Sequence, residues 1–112
     1  MKSLTRVGKV EIAVKARERQ AAKDRFQRAE AQYYSMTSAD IEKLIDRFFS
    51  TPEDELEGFV AGTSDGEHIA LHRHTEAFLK KIDWDAIPQE ISQKVLRREF
   101  SILELKKLYP KN

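Results

Sequence analysis

Apolar positions recur along this chain in short bursts separated by charged runs, and each burst carries its own period. In TSADIEKLIDRFF, Ile41, Leu44, Ile45, Phe48 and Phe49 fall at steps of three and four. That spacing gathers them on one wide face of a helix, the strongest core signal in the chain. Thr37 or Ser38 can accept from the free backbone N–H groups at its start. Asp40 and Glu42 put negative charge in its first turn, where it offsets the exposed N–H dipoles.

The segment before it is more ambiguous. Val10, Ile12 and Val14 alternate with Lys9, Glu11 and Lys15, a short strand pattern. From Ala16 the composition turns to Ala, Arg, Gln, Glu and Lys, all good helix formers. Ala22, Phe26, Ala29, Tyr33 and Met36 then make a narrow apolar stripe. The simpler reading is one helix over about residues 8–35; a strand at 9–15 followed by a helix is the alternative. No heptad survives the RERQ stretch, which argues against a regular two-stranded coiled coil. So thin a stripe does not offset the cost of nucleating and ordering a long helix. The helix is therefore expected to lie on the rest of the domain or on a symmetry mate.

Downstream, Thr51 is a natural cap, Pro52 fits a first helical position, and Glu53, Asp54 and Glu55 load the first turn with carboxylates. Leu56, Phe59 and Val60 share a face, Gly62 can end the element, and Gly58 inside it costs about 1 kcal/mol relative to alanine. That cost keeps a hairpin open, with strands 59–64 and 67–72 joined by a turn at Asp65-Gly66. The helical reading of the same region has Ser64 as cap, Glu67 three residues on as its capping-box partner, and Leu71, Thr75, Phe78 and Ile82 on one face beside His74. Trp84 and Ile87 are expected to cover one end of the core. Pro88 starts a helix that buries Ile91, Val95 and either Phe100 or Leu96. Ser101 and Glu104 cap a last helix with the stripe Ile102, Leu105 and Leu108 and with Lys106 and Lys107 in its final turn.

The pattern predicts a mostly all-α fold: a compact cluster of short helices at 37–112 preceded by a long basic helix at 1–36, together one domain. The alternative is a small α+β domain with the strands named above. The length of 112 residues suits one domain with one modest core. An apolar fraction of 40% against 35% charged leaves room for an extended arm, and the clustering of large side chains argues against disorder.

Charge sharpens that division. Residues 1–34 carry nine Lys/Arg against four Asp/Glu, a net of +5; residues 35–67 carry two against nine, a net of −7; residues 68–112 carry nine against six, a net of +3. Such blocks can attract each other within the fold or across two subunits, or can leave the basic segment free for phosphates. Without cysteine, disulfides, thiolate metal ligands and cysteine nucleophiles are excluded. No apolar run approaches the roughly 18–20 residues of a spanning helix, and no apolar region follows the basic start MKSLTRVGKV, so a cytoplasmic protein without a cleaved leader is expected.

Candidate chemistry centres on GEHIALHRHTE, which holds all three histidines. On a helix His68, His72 and Glu76 share a face at steps of four, and two imidazoles with a carboxylate can bind zinc or a water beside it. The glutamate that an HExxH motif needs after the first histidine is replaced by Ile69. On a strand the shared face is His68, His72 and His74; His72 and His74 would lie about 7 Å apart and His68 about 13 Å from His72. The expected state is a scaffold element without a bound metal or cofactor. No phosphate-binding glycine loop or GxSxG context is present.

The basic segment offers two kinds of contact. Lys9, Lys15, Arg17, Arg19, Lys23, Arg25 and Arg28 form a cationic rod that could track phosphates, although it lacks a recognisable base-reading signature. Phe26, Tyr33, Tyr34, Met36 and the neighbouring Arg25 are side chains enriched at protein interfaces. Bulky apolar residues opposite the cations are too sparse for membrane docking. The expected function is that of a non-enzymatic regulatory or adaptor protein acting through protein contact as a homodimer. The alternatives are a nucleic-acid-binding regulator and a small metal-dependent hydrolase at the histidines.

Overall fold

The structure, a computed structural model, describes residues 6–112, and among these it contains six α-helices and no β-sheet. They are α1 (Arg6–Ser35), α2 (Ser38–Ser50), α3 (Leu56–Gly62), α4 (Asp65–Leu79), α5 (Gln89–Leu96) and α6 (Ile102–Leu108). Short 3-10 turns at Glu53–Glu55 and Trp84–Ala86 lead into α3 and α5. The fold is all-α, with the long helix at its amino end. The strand considered at 9–15 is a stretch of α1, and the hairpin considered at 59–64 and 67–72 is replaced by α3 and α4.

Local hydrogen bonding decides the second of these. The Ser64 hydroxyl accepts from the backbone N–H of Glu67, and the Glu67 carboxylate accepts from the backbone N–H of Ser64. Both bonds satisfy donors that would otherwise be free, so the chain enters a helix at Asp65-Gly66 in place of a hairpin turn. Thr37 and Asp40 make the same reciprocal pair at the start of α2, which holds the Asp40 carboxyl below its usual range through hydrogen bonds from Thr37.

The core sits where α2 packs on α4 and α6. Ile41, Leu44, Ile45, Ala70, Phe78, Ile82, Ile102 and Leu105 form one buried cluster, with Met36, Phe49, Phe59, Ile87, Ile91 and Phe100 packed around it. Antiparallel bridging of Ile82 with Pro110 ties the carboxyl end back to the α4–α5 connection.

Two expectations about this region need correcting, and one open alternative is decided. Thr51 does not open the next helix; its hydroxyl donates to the Arg47 carbonyl at the end of α2, and Pro52 leads into the 3-10 turn. Trp84 covers little, because its indole N–H turns to the Leu79 carbonyl at the end of α4 and leaves the ring partly exposed. Of the two alternatives after α5, Phe100 packs against the core and Leu96 is 83% exposed.

The turn after α5 explains that choice. Arg98 is the one described non-glycine residue with positive φ, at 62°. Its N–H donates to the Val95 carbonyl while that of Glu99 donates to Lys94, the paired bonds of a helix end that usually carries glycine. An arginine holds this position because its guanidinium donates to the Phe48 carbonyl at 2.7 Å and lies over the Phe48 and Phe49 rings. The cation thus meets a free carbonyl in the last turn of α2, where the helix dipole favours positive charge.

The molecule is long for its size. Its extents are 72 × 29 × 24 Å and its radius of gyration is 21.2 Å, against about 13 Å for a globule of this length. Helix α1, about 45 Å end to end at 1.5 Å per residue, accounts for the difference. No helix among the described residues is long and apolar enough to cross a membrane.

Candidate contact surface

Helix α1 divides into a docked end and a projecting arm. Its last three turns lie on α4, where Ala29 and, across from it, Gly66 and Ala70 are buried. Small residues allow a close approach. A Cβ placed on Gly66 would stand 2.8 Å from the Cβ of Gln32 and 2.6 Å from its Oε1. With no side chain there, the Gln32 amide oxygen accepts from the Gly66 backbone N–H at 3.1 Å and satisfies one of the free donors of the first turn of α4.

Polar contacts fix the rotation of α1. The Arg25 guanidinium donates to both carboxylate oxygens of Asp65, at 2.8 and 2.9 Å. Hydrogen bonding to Arg25 holds the Asp65 carboxyl below its usual range, and the same contact raises the Arg25 guanidinium. Both partners are well exposed, so this pair sets geometry more than stability. Further along, the Tyr33 hydroxyl is hydrogen-bonded to His74 Nε2, and Arg73 lies over the Tyr33 ring at 5.1 Å. Arg73 also approaches Glu30 at 3.9 Å.

We expect Gly66→Ala to loosen this docking. The added methyl meets the Cβ of Gln32, which cannot swing aside as a side-chain tip can, and overpacking of this kind costs roughly 1–3 kcal/mol. Alanine recovers about 1 kcal/mol of that through helix propensity, leaving a net loss of up to about 2 kcal/mol. Amide hydrogen exchange should quicken at residues 25–35 of α1. Exchange there at the wild-type rate would show that the close approach is not required.

Residues 10–24 of α1 are exposed without exception. The exposed set includes Val10 at 58%, Ile12 and Val14, and at the arm's base Phe26 at 55%. Of the cations singled out in the sequence, Lys15, Arg17, Arg19, Lys23 and Arg28 are exposed. None of these five enters an ion pair among the described residues. Lys9 lies in α1, with its side chain outside the described residues. Of the interface residues singled out, Phe26 and Tyr34 face solvent, Tyr34 at 71%. Arg25, Tyr33 and Met36 are engaged within the chain, by Asp65, by His74 and by the core. Steps of three and four had placed Phe26, Tyr33 and Met36 on one stripe, but only the position of α4 reveals that Tyr33 and Met36 are covered and Phe26 is not.

The histidines separate. His68, His72 and Glu76 do share a face of α4 at steps of four. However, His68 Nε2 is 3.1 Å from the Val60 carbonyl, so that nitrogen carries a proton and donates, and Glu76 pairs with Lys80 at 3.2 Å. His72 is exposed, and His74 belongs to the α1 contact. Among the described residues no group of three or more such side chains is arranged to hold a metal ion. Two of the three rings thus hold elements together: His68 ties α4 to α3, and His74 ties α4 to α1.

Three further residues of consequence carried no signal in the sequence: Gln32, Asp46 and Arg98 each act on a group at least 34 positions away. Comparison of the chain with protein-family models, with curated proteins and with solved structures finds no match.

Proposed function

We propose that this chain is a non-enzymatic regulatory or adaptor protein of the cytoplasm that works through protein contact, with α1 as its docking element and a second copy among its partners. One observation carries the reading: a helix of 30 residues is seated by its last three turns, and its remaining length projects with Val10, Ile12, Val14 and Phe26 uncovered. An isolated helix of this composition has no packed face to offset its ordering cost. A partner that buries the arm supplies what is missing.

The test follows from which aromatic residues remain outside. Phe26→Ala with Tyr34→Ala is expected to weaken assembly by about tenfold or more, since truncating an interfacial aromatic anchor commonly costs over 1 kcal/mol. Sedimentation equilibrium reads the effect directly. The same association constant in the variant and the wild type would refute the reading.

A second reading has its own support. Lys15, Arg17, Arg19, Lys23 and Arg28 are exposed along the same helix, and phosphate binding through them would weaken steeply as salt rises. Against it, Glu11, Glu18 and Asp24 are exposed among those cations and would repel a polyanion. Titration with duplex DNA and with RNA at two ionic strengths separates the two readings.

A further inference from the structure

Two exposed surfaces of this chain complement each other and cannot meet within one molecule. On the arm, Lys15, Arg19 and Lys23 follow at four-residue steps and form one stripe, with Phe26 at its lower end. Glu18 and Asp24 fall to the flank and back of that stripe, and Glu11 stands on the same row one turn before Lys15, beyond the three cations. On the body, Glu53, Asp54, Glu55 and Glu57 are all exposed across the 3-10 turn and the first turn of α3. None of these four enters an ion pair among the described residues.

Beside the acidic ridge the surface is open to a close approach. Gly58 and Gly62 have nothing within 4 Å of where a Cβ would stand. They border a shallow groove of about 290 Å³ shared with Phe59, Arg47 and Glu67, and Val60 next to it is partly exposed. A helix laid here finds small residues beneath it and exposed carboxylates in the turns just before Gly58.

Within one chain the arm does not bend back to this ridge. Helix α1 is unbroken from Arg6 to Ser35, and Arg25–Asp65 and Gln32–Gly66 fix its base on α4. Folding back would break the helix, at the cost of several backbone hydrogen bonds. We infer that the arm of one copy docks along the acidic ridge and the Gly58–Gly62 groove of a second copy. The exchange is mutual in this inference: two copies each give an arm to the other and receive one, which makes the pair a twofold dimer. This rests on the reading of α1 as a docking element and adds what it docks on.

Charge reversal on each side, alone and mixed, tests the inference. The arm variant is Lys15→Glu, Arg19→Glu, Lys23→Glu; the ridge variant is Glu53→Lys, Asp54→Lys, Glu57→Lys. In sedimentation velocity the wild type is expected to be a dimer at about 0.1 M salt and to dissociate towards monomer at about 1 M, where the screening length shortens from roughly 10 to 3 Å. Each variant alone places like charges together, and its dimer dissociation constant should rise about 100-fold or more. The equimolar mixture restores opposite charges at both contacts and should return a heterodimer.

A mixture that stays monomeric overturns the inference. So does a ridge variant that dimerises like the wild type while the arm variant does not; in that case the arm remains a docking element with a different occupant. A wild type that is monomeric at low salt and binds duplex DNA overturns the inference and the homodimer together. All six positions are exposed, and far-UV circular dichroism checks that both variants keep their helix content. Should either lose it, glutamine at the same positions removes the attraction without repulsion and is expected to weaken the dimer in the same direction.

Discussion

Replacing Leu105 by alanine is expected to lower the free energy of unfolding by about 3 kcal/mol, the largest effect of any single change considered. Leu105 is 0% exposed and lies in the cluster formed by Ile45, Phe78, Ile82 and Ile102. Truncation removes three buried carbons and leaves a cavity that α2 and α6, pinned at several points, cannot collapse to fill; such changes cost roughly 2–5 kcal/mol. The core is small for the chain, since the exposed arm contributes nothing to it. A loss of this size is thus a large share of the roughly 5–15 kcal/mol that holds a domain folded. Urea unfolding followed by circular dichroism measures it, and a change below about 1 kcal/mol would mean that the site relaxes freely.

Asp46→Ala is expected to cost about 2 kcal/mol although no apolar contact is lost. One carboxylate oxygen of Asp46 on α2 accepts from the Ser101 hydroxyl at 2.9 Å and from the backbone N–H groups of Ile102 at 2.8 Å and Leu103 at 3.3 Å. These are free donors of the first turn of α6, and the negative charge also suits the helix dipole. Helix α6 has seven residues, too few to persist without such help. Asp46→Asn keeps an acceptor and loses the charge, so its cost should be near half that of alanine. Equal losses in the two variants would show that the carboxylate acts by charge alone. Lys106, paired with Glu42 at 3.2 Å and 5.2 Å from the centre of the Phe78 ring, holds the same two helices together and is untouched by either change.

The capping signals read from the sequence act over three or four residues, which is why they are legible there. Thr37–Asp40 and Ser64–Glu67 form as reciprocal pairs. Ser101 accepts from the Glu104 N–H, but its own partner across space is Asp46. The face of α2 at Ile41, Leu44 and Ile45 is buried as its spacing required. Asp65-Gly66 shows the limit of such reading, because the same two letters suit a hairpin turn or the first turn of a helix. Ser64 and Glu67 favour the helix locally, and Gln32 then uses the bare backbone of Gly66.

By itself the sequence determined the capped second helix with its core face and the blocks of charge, and it favoured without deciding the all-α class and one long first helix. Each follows from periodicity, capping or composition, and these act between near neighbours or on the chain as a whole. Only the tertiary structure decided which part of α1 is seated and which projects. It also decided that Tyr33 and Met36 face inwards while Phe26 and Tyr34 face out, and that His68 and His74 hold elements together. The physical reason is the same in each case. Whether a side chain is free for a partner depends on what a distant segment has already placed against it, and that distance is not encoded in local spacing.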